Sequence, residues 1–305
     1  MLRPAALAAG PARPSPAAVL ELLKPITWFP PMWAFACGAI SSGVPLAGKA
    51  WLVLAGILLA GPLVCGTSQA VNDWFDREVD AINEPDRPIP SGRVPGRWGL
   101  MIALGWTGLS LVLASLLGQW VLWASMAGLA LAWAYSAPPL RLKRNGWWGN
   151  LAVGVSYEGL AWVTGAAVML NGMMPGASIW LLALLYSLGA HGIMTLNDFK
   201  SIEGDRRMDV ASLPVQLGVQ RAARFACLAM ALPQCVVVAL LVSWGRPAHA
   251  LAVAGLLLLQ AALMPRFLQQ PRLQAVWFSG FGVALYVSGM MVSAWALRGL
   301  GVAAW

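Results

Sequence analysis

Apolar residues along this chain run in long blocks, separated by short stretches rich in charge, proline and glycine. Blocks of about 20 such residues match the roughly 30 Å of hydrocarbon that an α-helix crosses in a bilayer. Nine spans are predicted, at about 26–43, 50–71, 98–117, 119–137, 150–170, 178–196, 222–244, 247–264 and 274–297. The expected fold is therefore all-α, a polytopic membrane helical bundle. Residues 1–24, rich in Ala and Pro and without a usable signal-peptide core, predict a disordered tail. Residues 25–305 predict a single transmembrane domain.

Composition supports the same solvent. Of the 305 residues 59% are hydrophobic and only 10% charged, where soluble domains carry roughly 25% charged residues. The net charge of +8 is an orientation signal. On a nine-span topology 17 of the 20 Lys and Arg fall on one side, and only Lys49, Arg246 and Arg298 on the other. The positive-inside rule then places the amino terminus in the cytoplasm and the carboxyl terminus outside. Nucleic-acid binding is not indicated. The 17 tryptophans suit the membrane interface. Cys37, Cys65, Cys227 and Cys235 lie in apolar spans without metal-ligand spacing and read as small packed hydrophobes.

Acidic residues are concentrated. Asp73, Asp76, Glu78, Asp80, Glu84 and Asp86 form one stretch, and Asp198, Glu203, Asp205 and Asp209 another; only Glu21 and Glu158 fall elsewhere. Each stretch opens with Asn-Asp at the end of an even-numbered span, at Asn72-Asp73 and at Asn197-Asp198, 125 residues apart. That separation of four spans suggests two four-helix halves followed by a ninth helix.

Positions four apart lie on one helix face, so Asn72, Asp76 and Asp80 form a stripe of oxygen donors. Such a stripe destabilises its helix unless a cation sits on it. Magnesium, hard and oxygen-seeking, bridges carboxylates to substrate phosphates. Asp198 and Asp205, seven apart, share a face if their helix continues through both. Two such stripes can hold two magnesium ions around a diphosphate, whereas a merely solvated acidic loop would not repeat at the ends of two spans. Arg77 lies within the first stripe, and Arg87 follows it in the Pro-rich loop Arg87–Gly92. Arg141 and Lys143 follow Tyr135-Ser136-Ala137-Pro138-Pro139, and Lys200 lies in the second stretch. Arginine grips phosphate through a planar fork and lysine as a point charge; each of these cations also serves topology.

Two buried polar positions stay open. Glu158 inside the fifth span either shapes a pocket or pairs with a neighbouring helix. His191 in the sixth either ligates a pigment's central metal or packs through a hydrogen bond. His249 sits near an outer loop.

The strings NDWFDREVDAINEPDRPIPSGRV (72–94), YSAPPLRLKRNGWWGN (135–150) and NDFKSIEGDRRMDVASLPV (197–215) resemble the UbiA superfamily of intramembrane prenyltransferases, most closely its chlorophyll and bacteriochlorophyll synthases. The likeness covers nearly the whole chain. The family pattern Asn-Asp-x-x-Asp-x-x-x-Asp is met by Asn72, Asp73, Asp76 and Asp80. Ser201 stands where many relatives have an aspartate. The resemblance implies Mg2+ held by Asn72, Asp73, Asp76, Asp80, Asp198 and Asp205, and diphosphate held by Arg77, Arg87, Arg141, Lys143, Lys200 and Tyr135. Asp76, Asp198, Arg87 and Lys143 would carry catalysis, with Glu158 and His191 in a pigment pocket.

The implied reaction esterifies the propionate of a chlorophyllide or bacteriochlorophyllide a with a geranylgeranyl or phytyl group from its diphosphate. A propionate is already ionised near neutral pH, so no strong base is required, and no Ser-His-Asp arrangement is evident. Rival readings are a quinone-ring or haem acceptor, a phosphatidyltransferase (whose Asp-Gly-x-x-Ala-Arg type of motif is not found), and a non-catalytic pigment-binding protein or transporter. The expected setting is a bacterial inner membrane, cytoplasmic or intracytoplasmic, since no plastid-type transit peptide precedes the spans. Other pigment-biosynthesis or assembly proteins are candidate partners.

Overall fold

The computed structural model describes residues 13–298 and 300. Its helices are α1 (Pro16–Leu22), α2 (Phe29–Ser41), α3 (Ala50–Asn83), α4 (Trp98–Leu117), α5 (Gln119–Ser136), α6 (Gly146–Met169), α7 (Ala177–Asp198), α8 (Ile202–Arg207), α9 (Leu213–Leu217), α10 (Val219–Ser243), α11 (Pro247–Gln269) and α12 (Pro271–Arg298). Seven of them, α3, α4, α6, α7, α10, α11 and α12, are long and apolar enough to cross a membrane. The predicted spans at 26–43 and 119–137 are helical but weaker. The first holds α2, only 13 residues long, and the second holds α5, whose 18 residues include three tryptophans and polar ends.

The tail expected to be disordered folds where it is described. Ser15 caps α1 by accepting from the Ala18 N–H, satisfying one of the donors that a helix start leaves unpaired. Ala18, Leu22 and Leu23 are buried with Ala70, Val71 and Val94. Their spacing presents one apolar face, which Ala- and Pro-rich composition concealed. Residues 1–12 lie outside the described residues.

Two helices carry a widened π turn. In α3 it spans Leu59–Cys65 and contains Pro62; the proline ring supplies no N–H and crowds the preceding turn, which opens to admit it. In α6 it spans Val155–Leu160 and contains Tyr157 and Glu158. The Cys65 thiol reaches the Tyr157 hydroxyl at 3.2 Å, so the two widened turns meet inside the bundle.

Close packing of α2 on α6 rests on paired glycines. A Cβ on Gly38 would fall 1.9 Å from the Trp162 carbonyl oxygen, and one on Gly165 would fall 2.0 Å from that of Phe35. Small residues let backbones approach where lipid supplies no hydrophobic drive. At the motif end, Ala211 N–H donates to Arg144 O and Gly146 N–H to Ala211 O, both at 2.8 Å. These bonds clamp the loop after α5, which carries Arg141 and Lys143, against the chain after α8.

Candidate active site

Helix α3 continues past its predicted end at 71 to Asn83, so Asn72, Asp76 and Asp80 do form a helical stripe. The second stripe is built differently. α7 ends at Asp198, a turn passes through Ser201, and Asp205 lies on the separate helix α8. The Ser201 hydroxyl is 3.2 Å from the Asp198 carbonyl and donates to Asp205 Oδ2 at 2.9 Å. Such side-chain to backbone bonding competes with helix continuation. Asp198 and Asp205 nevertheless converge, because the break folds α8 back.

Both sets line one polar cavity of about 480 Å³. Its walls hold Asn72, Asp76, Asp80, Asp198 and Asp205 together with Arg87, Arg141 and Lys143. Lys143 Nζ is 2.5 Å from Asp76 Oδ2, and Arg141 Nη2 is 3.5 Å from Asp76 Oδ1. Arg87 donates from Nη1 to Asp80 at 2.8 Å and from Nε to Glu84 at 2.5 Å. Burial holds the Lys143 ammonium below the usual lysine value, with Asp76 opposing the shift. Burial acts on Arg87 in the same direction, but Asp73, Glu84 and Asp80 outweigh it and raise its value.

Not every expected residue joins this cavity. Asp73 is 1% exposed and faces Lys24, whose Nζ lies 2.6 Å from its Oδ1, with Arg87 at 3.5 Å. It ties the chain just after α1 to α3 and is absent from the cavity wall. Arg77 lies over the Trp74 ring at 4.4 Å and donates to the Trp74 carbonyl. Lys200 is exposed. Neither lines the cavity. Conversely, sequence reading passed over Asn150, which donates to Asp198 Oδ2 at 3.0 Å. Its signal was a lone carboxamide at the start of an apolar span. Nor does the sequence distinguish Lys24 from the other basic residues assigned to the cytoplasmic side.

An apolar cavity of about 620 Å³ adjoins the polar one, and a narrow apolar cleft of about 40 Å³ runs between the two π turns and α5. Tyr135 lines all three spaces. Glu158 lines the large apolar cavity. His191 does not: its Nε2 lies 3.1 Å from the Trp147 carbonyl oxygen, and its ring packs between Trp147 and Phe225.

The model of the UbiA prenyltransferase family matches residues 27–285. The chain belongs to that family. It is 55% identical to the bacteriochlorophyll synthase 33 kDa chain of Rhodobacter capsulatus, covering 95% of this chain and 96% of that protein. With the protein of the same description from Cereibacter sphaeroides it shares 57% over 95% of each. A chloroplastic chlorophyll synthase of Avena sativa is 40% identical over 91% of this chain and 75% of its own. Among solved structures, a UbiA homologue from Archaeoglobus fulgidus bound to GPP and Mg2+ has a TM-score of 0.69 at 18% identity, covering 88% of this chain and 99% of that one.

The donor set of this UbiA prenyltransferase fits magnesium. Every candidate ligand is oxygen. Asp198 and Asp205 have no cationic side chain within ion-pair distance among the described residues, although Asp205 is only 8% exposed. Two such carboxylates in one cavity are compensated either by protonation or by a shared cation, and an all-oxygen donor set suits the latter. No three Asp, Glu, His or Cys side chains converge into a complete ligand set among the described residues. The remaining coordination must come from carboxamide, phosphate and water oxygens, as is usual for magnesium. Asp76 has about four lone-pair sites, so it can accept from Lys143 and still ligate. Bound there, magnesium would neutralise charge gathering on the departing diphosphate.

Proposed function

We propose that this prenyltransferase esterifies the 17-propionate of bacteriochlorophyllide a with a C20 prenyl group. The observation that carries this reading is the position of Tyr135 where the polar cavity, the wide apolar cavity and the narrow apolar cleft meet. The polar cavity suits a magnesium diphosphate and the wide apolar cavity a flat macrocycle, while the narrow cleft between the π turns has to widen to take the prenyl chain. The carbon that changes bonds then sits beside Tyr135. Identities of 55% and 57% with bacteriochlorophyll synthases, against 40% with a chlorophyll synthase, favour the bacterial pigment.

The chain's own groups account for the chemistry. Lys143 spends one of its donors on Asp76, and Arg87 spends Nε and Nη1 on carboxylates. The remaining N–H groups of both can take diphosphate oxygens. As the allylic C1–O bond breaks, its electron pair leaves with the diphosphate. Tyr135, which lines all three spaces, would bring an aromatic ring to the developing carbocation, and an aromatic face stabilises positive charge. A propionate oxygen donates its lone pair to C1 and closes the ester, so no proton needs to be removed. Apolar walls exclude the water that would otherwise capture the cation.

The metal set is Asn72, Asp76, Asp80, Asp198 and Asp205, and the cationic set Arg87, Arg141 and Lys143. The motif end faces the cytoplasm of a bacterial inner membrane. The test is incubation of purified protein with geranylgeranyl diphosphate, magnesium and bacteriochlorophyllide a, followed by chromatography, with Asp76→Ala as control. Magnesium-dependent esterified pigment, absent in the variant, supports the proposal. Transfer only to a quinone-type acceptor would replace it.

A further inference from the structure

The second Asn-Asp pair does not repeat the first. Asn72 lines both the polar cavity and the 620 Å³ apolar cavity, and its Nδ2 lies 3.3 Å from the Ser136 hydroxyl. Of the three spaces, Asn197 lines the wide apolar cavity alone, although its neighbour Asp198 lines the polar one. The one partner of its Nδ2 among the described residues is the Met194 sulfur at 3.9 Å, and a thioether is a weak acceptor. Gln69, the other carboxamide on that wall, already donates to the Tyr157 hydroxyl at 3.1 Å. Asn197 thus presents unspent amide donors to the space that suits the acceptor.

Its place on α7 puts those donors at the reacting end. Adjacent Cα atoms are about 3.8 Å apart, so Asn197 stands beside the Asp198 wall of the polar cavity. Prenyl transfer needs an acceptor oxygen about 3–3.5 Å from the allylic carbon whose bond to the diphosphate is breaking. The acceptor's carboxylate is therefore confined to the end of the apolar cavity that meets the polar one. No Lys, Arg or His side chain lines the apolar cavity. Arg87, Arg141 and Lys143 line the polar one, where the diphosphate takes them. A carboxylate left without donors in an apolar space is costly, and the wall offers it neutral N–H groups. A neutral donor also suits the chemistry, because pairing with a guanidinium or ammonium would draw off the electron density that attacks.

We propose that the Asn197 carboxamide donates an N–H to the propionate carboxylate of the acceptor and aims its oxygen at the prenyl carbon. The inference rests on the acceptor reading above. The carboxylate oxygen forms the new bond to C1, the C1–O bond to the diphosphate breaks, and the amide keeps its proton throughout. The two Asn-Asp pairs then divide their work: Asn72 serves the metal side, and Asn197 the nucleophile.

The experiment compares wild type, Asn197→Leu and Asn197→Gln. Leucine keeps the side-chain size and removes the donor; glutamine keeps the donor on a longer arm. In N197L the kcat/KM for bacteriochlorophyllide a should fall about 10–100-fold, the scale of one hydrogen bond to a charged group. N197Q should lie between N197L and wild type. The KM for geranylgeranyl diphosphate and the magnesium concentration for half-maximal rate should match wild type in both. With magnesium and pyrophosphate filling the polar cavity, absorbance titrations should show wild type binding bacteriochlorophyllide a more tightly than its propionate methyl ester. N197L should bind the two alike. An unchanged acceptor kcat/KM in N197L, or acid and ester separated equally in both proteins, would overturn the proposal. So would a raised magnesium requirement, which would make Asn197 a metal ligand. Acid-selective binding that N197L loses, in a wild type that forms no ester, would uphold this contact and sink the transferase reading.

Discussion

Asn150 Nδ2 donates to Asp198 Oδ2 over 3.0 Å and so ties the start of α6 to the end of α7 at the wall of the polar cavity. This neutral donor orients a carboxylate that has no cationic side-chain partner among the described residues. Asn150→Ala should lower kcat/KM about 10–100-fold, the usual cost of losing a group that orients a metal ligand, and raise the magnesium concentration needed for half-maximal rate. Asn150→Asp should be worse, because it sets a like charge against Asp198. Magnesium titrations of the three proteins check this.

Asp76→Ala and Asp198→Ala should each reduce turnover by roughly 10²–10³-fold or more, on the scale of removing one electrostatic stabiliser. Chelation by EDTA should abolish activity, and added magnesium should restore it. Size-exclusion profiles in detergent separate this loss from misfolding.

Asp73 should behave unlike its two neighbours. Lys24→Met leaves a buried carboxylate with only Arg87 at 3.5 Å, so it should destabilise the protein by about 3–5 kcal/mol, the scale for breaking a buried ion pair. The double variant Lys24→Met/Asp73→Asn should recover most of that loss. Thermal unfolding of both, alongside an unchanged magnesium requirement, would distinguish a positional anchor from a metal ligand.

Tyr135→Phe should retain most transfer, since the proposed role of Tyr135 needs its aromatic ring and not its hydroxyl. Tyr135→Ala should shift the product from ester toward free prenol as water reaches the cation. The ester-to-prenol ratio is the readout, and equal ratios in both variants would remove Tyr135 from this role.

The alkaline limb of the rate profile should report Lys143. Its value is held below that of a free lysine, about 10.4, by burial. The ammonium form binds diphosphate, so activity is present below the depressed value and lost as pH rises through it. Lys143→Arg should carry that limb to higher pH, if necessary with a lower maximum rate. The pH dependence of kcat/KM for the prenyl diphosphate measures it.

Hydrophobic blocks and two acidic motifs made the membrane bundle and its chemistry legible, since both are local properties. Bilayer thickness fixes span length, and a four-residue spacing puts Asn72, Asp76 and Asp80 on one face. Quoted strings pointed to the family for the same reason: they are contiguous. Sequence also showed Ser201 standing where an aspartate is common, but not that it ends α7 and holds Asp205.

Tertiary structure alone decided what depends on distant segments meeting. It turned Asp73 toward Lys24, 49 residues away, and brought Asn150 to Asp198, 48 residues away. It set His191 against Trp147 rather than in the pigment cavity. It placed Tyr135 where three spaces join and left Glu158 facing the widest apolar one. A residue's type and spacing limit the bonds it can make, whereas its partner depends on which helices pack together and how their side chains turn.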